Sequence, residues 1–138
     1  MLPDVPVAYR RDMGHPIREP AGREKELIEG VREICAEIPE VSQERDGFGH
    51  TVFKVRKKTF VMIGDGYGRG SISIKSDLTT QDLLVRRGPW QRTPYIGQHG
   101  WLSVWGDDPI DWDEVRELVR DAYRMAAPKR LARQLDIE

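Results

Sequence analysis

The chain has 138 residues, of which 38% are hydrophobic and 33% are charged, and its net charge is −1. This length is typical of one domain and leaves too few apolar positions for two cores. The balanced charge excludes nucleic-acid binding driven by bulk charge, and no apolar stretch approaches the roughly 20 residues needed to span a bilayer.

The chain contains one cysteine, Cys35, which excludes an intramolecular disulfide and is typical of a reducing compartment. The N-terminal sequence lacks the apolar segment of a secretory signal, so we expect a cytoplasmic protein that does not enter a membrane. Four prolines within residues 1–21 predict an irregular N-terminal arm. Residues 22–138 are expected to form the single domain.

The domain begins with a helical pattern. From Gly22 onward, apolar residues recur at helical spacing opposite a charged face, and the helix should stop before Pro39. Cys35 falls on the apolar face, where a free thiol usually serves as a small core residue. The polar residues 41–49, with two glycines, predict a loop.

Three strands are predicted next. The runs 51–56 and 59–64 are rich in β-branched and aromatic residues and are joined at the pair Lys57-Lys58, which predicts a hairpin. Residues 64–70 alternate glycine with other residues and predict a flexible connection. Residues 71–75 alternate again and form the third predicted strand.

The second half is expected to contain a short helix over 77–88, a hairpin made from 92–96 and 101–105, and a helix that starts at Asp111 with a capping box. A last short helix is expected over residues 129–135. The predicted order is helix, three strands, helix, two strands, helix. Hairpins imply a mostly antiparallel five-stranded sheet that the helices cover on one face, which is an α+β two-layer sandwich.

Eight short segments also occur in a recognisable order, at residues 52–55, 59–60, 73–77, 94–95, 100–104, 111–115, 121–124 and 127–131. In sequence and spacing they resemble the MmcQ/YjbR family, over roughly residues 22–135. The resemblance implies helices on one side of an antiparallel sheet, similar to the type III secretion chaperone architecture. Members of this family are commonly labelled DNA-binding, and the resemblance therefore implies contact with DNA through paired hairpins.

The patterns that would indicate catalysis or a cofactor are absent from the sequence. The glycines of residues 64–70 fit neither GxGxxG nor a Walker loop. His15, His50 and His99 share no metal-ligand spacing, so no metal site is expected. Acidic residues between 107 and 113 precede a helix, where capping explains them without chemistry. We therefore predict no catalytic residue, no metal and no cofactor.

The basic residues are the set that suggests a function. Residues 51–110 carry 9 basic and 5 acidic side chains, a net of +4 within a chain of net −1. If the fold brings them together, they can neutralise phosphates, although charged hairpin tips are also ordinary solubilising surface. The predicted set is Lys54, Arg56, Lys57, Lys58, Arg86, Arg87 and Arg92.

Two aromatic residues near this set have two interpretations. Trp90 and Tyr95 flank a turn and a strand start next to Arg92, and they are either core or rim residues or stacking groups for a base. Trp101, Trp105 and Trp112 are most simply core.

Three functions follow in decreasing order of support. The leading hypothesis is a non-enzymatic module that binds DNA or other nucleic acid weakly and without sequence preference. The alternative is an adaptor that binds a protein or peptide with its sheet face, in the manner of a chaperone, as a homodimer or with another partner. An enzyme acting on a small molecule comes last, because no constellation of residues supports it.

Overall fold

The computed structural model describes residues 19–137. Residues 1–18 of the predicted arm, which include His15, therefore lie outside the described residues. The helices are α1 Gly22–Cys35, α2 Leu78–Arg87, α3 Trp112–Ala126 and α4 Lys129–Ile137. The strands are β1 Val41–Arg45, β2 Thr51–Val55, β3 Lys58–Gly64, β4 Ser71–Ile74, β5 Gln91–Arg92 and β6 Leu102–Trp105. A short 3₁₀ helix, Gly97–His99, lies between β5 and β6.

The strands form one antiparallel sheet in the order β1-β2-β3-β4-β6-β5. Helices α1 and α3 pack against β3 and β4. Side chains on the helix-facing side of the sheet, such as Phe53, Ile63 and Ile72, are at most 1% exposed. The predicted α+β sandwich, with an antiparallel sheet covered by helices, is confirmed.

The sheet has six strands rather than the predicted five, because residues 41–45 form β1 instead of a loop. This strand pairs with β2 from Val41 opposite Val55 to Arg45 opposite Thr51. Its sequence, VSQER, contains a single apolar residue, so it lacks the alternation that marks a half-buried strand. An edge strand is stabilised by its one neighbour, and polar side chains on it discourage pairing with other chains.

The first hairpin is confirmed, but its turn lies one residue earlier than predicted. Arg56 and Lys57 are the turn residues, with φ of 48° and 71°, and β3 already begins at Lys58. A two-residue turn with positive φ at both positions matches the twist of the flanking strands. The sequence contains no Asn-Gly pair here, and this explains the shift in the predicted turn.

The second hairpin is shorter than predicted. Only Gln91 and Arg92 pair with β6, opposite Ser103 and Leu102. The rest of the connection is irregular and is held by the buried Gln81, whose Nε2 donates to the carbonyls of Gly97 and Trp101 at 2.7 and 2.8 Å. Hydrogen bonds from a glutamine side chain of α2 thus hold this segment in place of the strand-to-strand hydrogen bonds that the sequence pattern predicts.

Helix α3 begins as predicted at Asp111, whose Oδ1 accepts hydrogen bonds from the backbone N–H groups of Asp113 and Glu114. Its buried stripe includes Tyr123, which packs edge-to-face on Phe60 at 5.8 Å between ring centroids. The phenol donates to the Pro39 carbonyl at 2.8 Å and so ties α3 to the chain after α1. The last short helix, predicted over residues 129–135, is α4.

A helix that crosses a bilayer needs about 20 mainly apolar residues. None of the helices over residues 19–137 is long and apolar enough to cross a membrane.

Candidate binding surfaces

The predicted basic residues occupy three separate parts of the described structure. Lys54 and Arg56 belong to β2 and its turn, Arg86 and Arg87 end α2, and Arg92 ends β5. Strands β2 and β5 are four positions apart in the sheet, which is about 19 Å at the usual strand spacing. The fold therefore does not gather the predicted residues into one patch.

Two of these residues are neutralised by acids beside the first hairpin. Lys54 contacts Glu44 of the neighbouring strand at 2.9 Å, and Arg56 donates to both oxygens of Glu40 at 2.7 and 3.3 Å. The hydrogen bond from Arg56 lowers the pKa of Glu40 below its ordinary value, so this acid stays ionised beside the arginine.

The residues at the end of α2 belong to a structural cluster around Glu114. The Arg87 guanidinium donates to both oxygens of this carboxylate at 2.6 and 2.8 Å, and the Trp90 indole N–H donates to Oε1 at 2.9 Å. Trp90 is only 4% exposed, so it is a core residue and cannot stack on a base. Arg86 pairs along its own helix with Asp82 at 3.1 Å.

Tyr95 is the opposite case, because its side chain is 95% exposed and its φ is +69°. A non-glycine residue in this region of backbone conformation is uncommon, and a fully exposed aromatic ring there contributes nothing to the core. Tyr95 therefore remains available for a ligand or a partner, as one of its two interpretations predicts.

A different set of cationic side chains does converge, at the end of the molecule that carries the turn between β2 and β3. Lys58 and Lys75 line the same shallow pocket of about 350 Å³, together with Trp101 and the half-exposed Met125 of α3. Lys57 is adjacent to Lys58 in the turn. Lys58 begins β3 and Lys75 directly follows β4, and the antiparallel pairing of these two strands brings them together.

The start of α4 adds to this end of the molecule. Arg130 lies 3.9 Å from Glu40, the acid that also binds Arg56, so the start of α4 faces the hairpin turn. Lys129 directly precedes Arg130. We call the resulting surface the basic end; it comprises Arg56, Lys57, Lys58, Lys75, Lys129 and Arg130.

Most of the charge at the basic end is uncompensated. Lys57, Lys58, Lys75 and Lys129 form no ion pair with any other residue between positions 19 and 137. The four ammonium groups are thus free to meet a polyanion. This contrasts with Lys54, Arg86 and Arg87, each of which already has a carboxylate partner.

A second surface lies on the sheet face opposite the helices. It is a groove of about 900 Å³, a size typical of ligand sites. Its floor consists of side chains from β3, β4 and β6, including Met62, Ser73 and Ser103. One wall is the turn between β1 and β2 with Phe48, and the other is the segment after β5 with Tyr95.

The floor of the groove contains a hydroxyl network. Ser103 Oγ lies 2.7 Å from Ser73 Oγ and 2.7 Å from Thr93 Oγ1. Three hydroxyls have three protons, and the two bonds within the network use two of them. One O–H donor and several lone pairs are therefore left for a group that enters the groove.

The wall with Phe48 is held rigid by Asp46. Its carboxylate accepts from the backbone N–H groups of Phe48 and His50 at 2.8 and 2.9 Å and lies 3.1 Å from His50 Nδ1. The His50 ring packs close to the Cα of Gly64, where a side chain would meet it. The loop thus presents Phe48, 66% exposed, at the rim of the groove.

Trp105 closes one end of the groove. The Arg69 guanidinium lies 4.3 Å from the centroid of the Trp105 ring and also pairs with Asp107 at 2.8 Å. Trp105 therefore lies on the uncovered sheet face and not in the core that the sequence indicated. Trp101 is buried as predicted, and Trp112 is partly buried against Gly30 of α1.

Neither a metal site nor a reactive thiol is found among the described residues. Within the described part of the chain, no three His, Cys, Asp or Glu side chains converge in a way that would hold a metal ion. Burial raises the pKa of the Cys35 thiol to about 12, which leaves it protonated and unreactive near neutral pH.

Several residues of the two surfaces escaped the sequence reasoning. Lys75, Lys129 and Arg130 come from elements distant in sequence from the first hairpin, and no local pattern connects them. The hydroxyls of Ser73, Ser103 and Thr93 carried a usable signal, because serines alternating with apolar residues in a strand mark a face that leaves the core.

Comparisons with known proteins bear on this fold. The sequence model of the YjbR family matches residues 36–125. The crystal structure of Deinococcus radiodurans protein DR2400, a DUF419 domain, superposes with a TM-score of 0.64 at 18% identity, covering 79% of this chain and 87% of that one. No curated protein matches the sequence. Since the family match spans most of the chain, the protein belongs to the YjbR family.

Proposed function

We propose that this protein is a non-enzymatic, cytoplasmic binding module that contacts the phosphates of nucleic acid through its basic end. The observation that supports the proposal is the meeting of Lys58 and Lys75 at one pocket, with Lys57 and Lys129 next in the chain to residues of the same end. None of these four lysines has an ion-pair partner among residues 19–137. Lysine contacts to phosphates release condensed counterions, and this release drives sequence-independent binding.

The geometry favours contact with the backbone over reading of bases. The cations of the basic end that have no ion-pair partner among residues 19–137 are all lysines, and they come from the first hairpin, the residue after β4 and the start of α4. Sequence reading requires side chains that form bidentate hydrogen bonds with base edges inside a groove. Lysine, a point charge on a flexible chain, positions a protein on phosphates without selecting a sequence.

The test is fluorescence anisotropy of a labelled duplex and a labelled single strand at 50 and 200 mM salt. Neutralising about four phosphates gives an expected slope of about −3.6 in log affinity against log salt for a duplex. The affinity should then fall by roughly 150-fold between the two salt concentrations. Lys57→Glu/Lys58→Glu should weaken binding at 50 mM salt by at least about tenfold.

The matched control is Lys25→Glu/Arg86→Glu, which changes the net charge by the same amount but lies away from the basic end. It should leave the affinity within about twofold of the wild type. An equal loss in both double variants would attribute binding to net charge and contradict the proposal. Absence of binding at 50 mM salt, with protein up to about 100 µM, would also contradict it.

A protein-binding role for the sheet face is the second candidate, and the groove favours it. Exposed aromatic residues at the rim of a concave surface are typical of protein interfaces. Phe48 and Tyr95 occupy the two walls and are 66% and 95% exposed. Substitutions in the groove should then abolish an association that substitutions at the basic end leave intact.

A further inference from the structure

Tyr95 and the groove beside it form a protruding side chain and a matching depression on one face of the molecule. The ring is 95% exposed, and its phenol makes no hydrogen bond with any residue described between 19 and 137. The positive φ of Tyr95 belongs to a tight turn, in which the Ile96 N–H donates to the Pro94 carbonyl at 2.8 Å. The backbone turn therefore points the ring away from the core, where it contacts solvent instead of the described chain.

The segment that carries Tyr95 is held in place from behind. Gln81 is 2% exposed and donates to the carbonyls of Gly97 and Trp101, which anchors the connection between β5 and β6. Thr93 bonds to Ser103 in the groove floor. A ring presented by an anchored segment loses little conformational freedom on binding, as is usual for interface anchor residues.

We propose that the occupant of the groove is Tyr95 from a second copy of this chain. Because Tyr95 lies on the wall of its own groove, a two-fold axis near that wall brings each Tyr95 to the groove of the other copy. The interface is then isologous, with the same contact made twice. This inference rests on the second candidate function and is independent of phosphate binding at the basic end.

The chemistry of the floor suits a phenol. A buried tyrosine needs a hydrogen-bond partner for its hydroxyl, and the network of Ser73, Ser103 and Thr93 has one donor and several acceptor sites to spare. The surrounding Met62 and Ile96 supply apolar contact for the ring. The same floor would leave these hydroxyl groups less well satisfied against a purely aliphatic side chain.

The area and charge of the surface also fit a dimer. Four rings, Phe48 and Tyr95 from each copy, would bury roughly 600–1,000 Å² of their own surface, a large share of the roughly 1,200–2,000 Å² that a specific interface buries. The wall that carries Tyr95 also holds Arg92, and the opposite wall holds Asp46 and Asp65. A two-fold arrangement sets the cationic wall of one copy against the acidic wall of the other.

The experiment is sedimentation equilibrium of the full chain from about 5 to 500 µM, a range that covers dissociation constants common for weak dimers. The wild type should dimerise within this range. Tyr95→Ser, which removes the ring, and Ser73→Phe, which fills the groove, should each weaken association by at least about tenfold. Tyr95→Phe should have an intermediate effect, because it removes only the hydroxyl.

Mixing the two variants gives the decisive readout. Tyr95→Ser keeps an open groove and Ser73→Phe keeps the ring, so an equimolar mixture can form one of the two reciprocal contacts. Association in the mixture should exceed that of either variant alone and stay below that of the wild type. Lys57→Glu/Lys58→Glu is the matched surface control and should dimerise like the wild type.

The inference is overturned if the wild type stays monomeric at 500 µM or if Tyr95→Ser dimerises normally. A mixture no more associated than its components also overturns the reciprocal contact. Circular dichroism and thermal melting confirm that each variant is folded. A wild type that stays monomeric but still binds nucleic acid would contradict the dimer and leave the proposed function intact. Failure of the dimer is therefore distinguishable from failure of nucleic-acid binding.

Discussion

At the scale of single residues, the carboxylate of Glu114 shows how one side chain is used differently from what its position predicts. The sequence places Glu114 in a capping box, where it would bond back to the start of α3. Asp111 does cap the helix, but the Glu114 carboxylate instead binds Arg87 and the Trp90 indole. Glu114 therefore connects the end of α2 to the start of α3 and satisfies a buried N–H group.

Replacing Glu114 separates these two roles. Glu114→Ala leaves the buried Trp90 N–H without an acceptor and should cost about 1–3 kcal/mol of the free energy of unfolding. Glu114→Gln keeps an acceptor and loses only a solvent-screened ion pair, so it should cost about 0.5–1 kcal/mol. Urea denaturation at pH 7 measures both. Equal costs for the two variants would show that Trp90 does not depend on this bond.

The pH dependence of stability follows from the same group. The hydrogen bonds from Arg87, offset partly by desolvation, lower the pKa of Glu114 below its ordinary value of 4.5. A lowered pKa in the folded state stabilises the protein above pH 4.5, and this contribution is lost as the pH falls through the folded-state pKa. The difference in stability between wild type and Glu114→Gln should therefore shrink progressively below about pH 4.5.

At the scale of secondary-structure elements, the connection between β5 and β6 depends on a close approach of two backbones. Gly100 has a φ of +96°, and a Cβ there would overlap the carbonyl of Ser76, just before α2. Gly68, in the turn between β3 and β4, also has a positive φ of +87° but has open space where a Cβ would lie. The two glycines thus share a backbone conformation and differ only in their surroundings.

Substitution by alanine should distinguish strain from overlap. Gly68→Ala should cost about 1–2 kcal/mol from the left-handed backbone alone. Gly100→Ala adds a collision with rigid backbone, typically about 1–3 kcal/mol more. Urea unfolding with unchanged m values measures this difference. If the two variants were equally stable, the close packing of Gly100 against Ser76 would be refuted.

At the scale of the whole molecule, the basic end is made by tertiary structure. Lys57 lies in the turn between β2 and β3, Lys58 begins β3, Lys75 directly follows β4 and Lys129 begins α4. Meanwhile Arg87 and Arg92, which are closer in sequence to one another, face Glu114 and the far edge of the sheet. Phosphate binding should depend on the first group and be independent of the second.

Single substitutions should separate the two groups. Lys75→Gln should weaken binding to a labelled duplex and reduce the slope of log affinity against log salt by about 1, because one phosphate contact is lost. Arg92→Gln removes the same charge from a different surface and should leave the slope unchanged. Anisotropy titrations at four salt concentrations give the slopes. A reduced slope for Arg92→Gln would instead favour the patch that the sequence suggested.

Local patterns in the sequence determined much of this protein. The helical spacing after Gly22, the alternation in residues 51–64 and the cap at Asp111 predicted α1, the first hairpin and α3, because burial of one face leaves a periodic record in the chain. The resemblance to the YjbR family was likewise readable and is confirmed by the family match over residues 36–125.

Other features depend on contacts between segments that are distant in the chain. Strand β1 is stabilised by pairing with β2 at an edge, which needs no apolar alternation and so leaves no periodic signal. The burial of Trp90, the exposure of Tyr95 and the meeting of Lys58 with Lys75 all depend on which elements become neighbours. The spacing of apolar residues in a sequence indicates which face of each segment is buried. Contacts between distant segments depend on how the strands and helices are arranged in space, and local spacing does not indicate them.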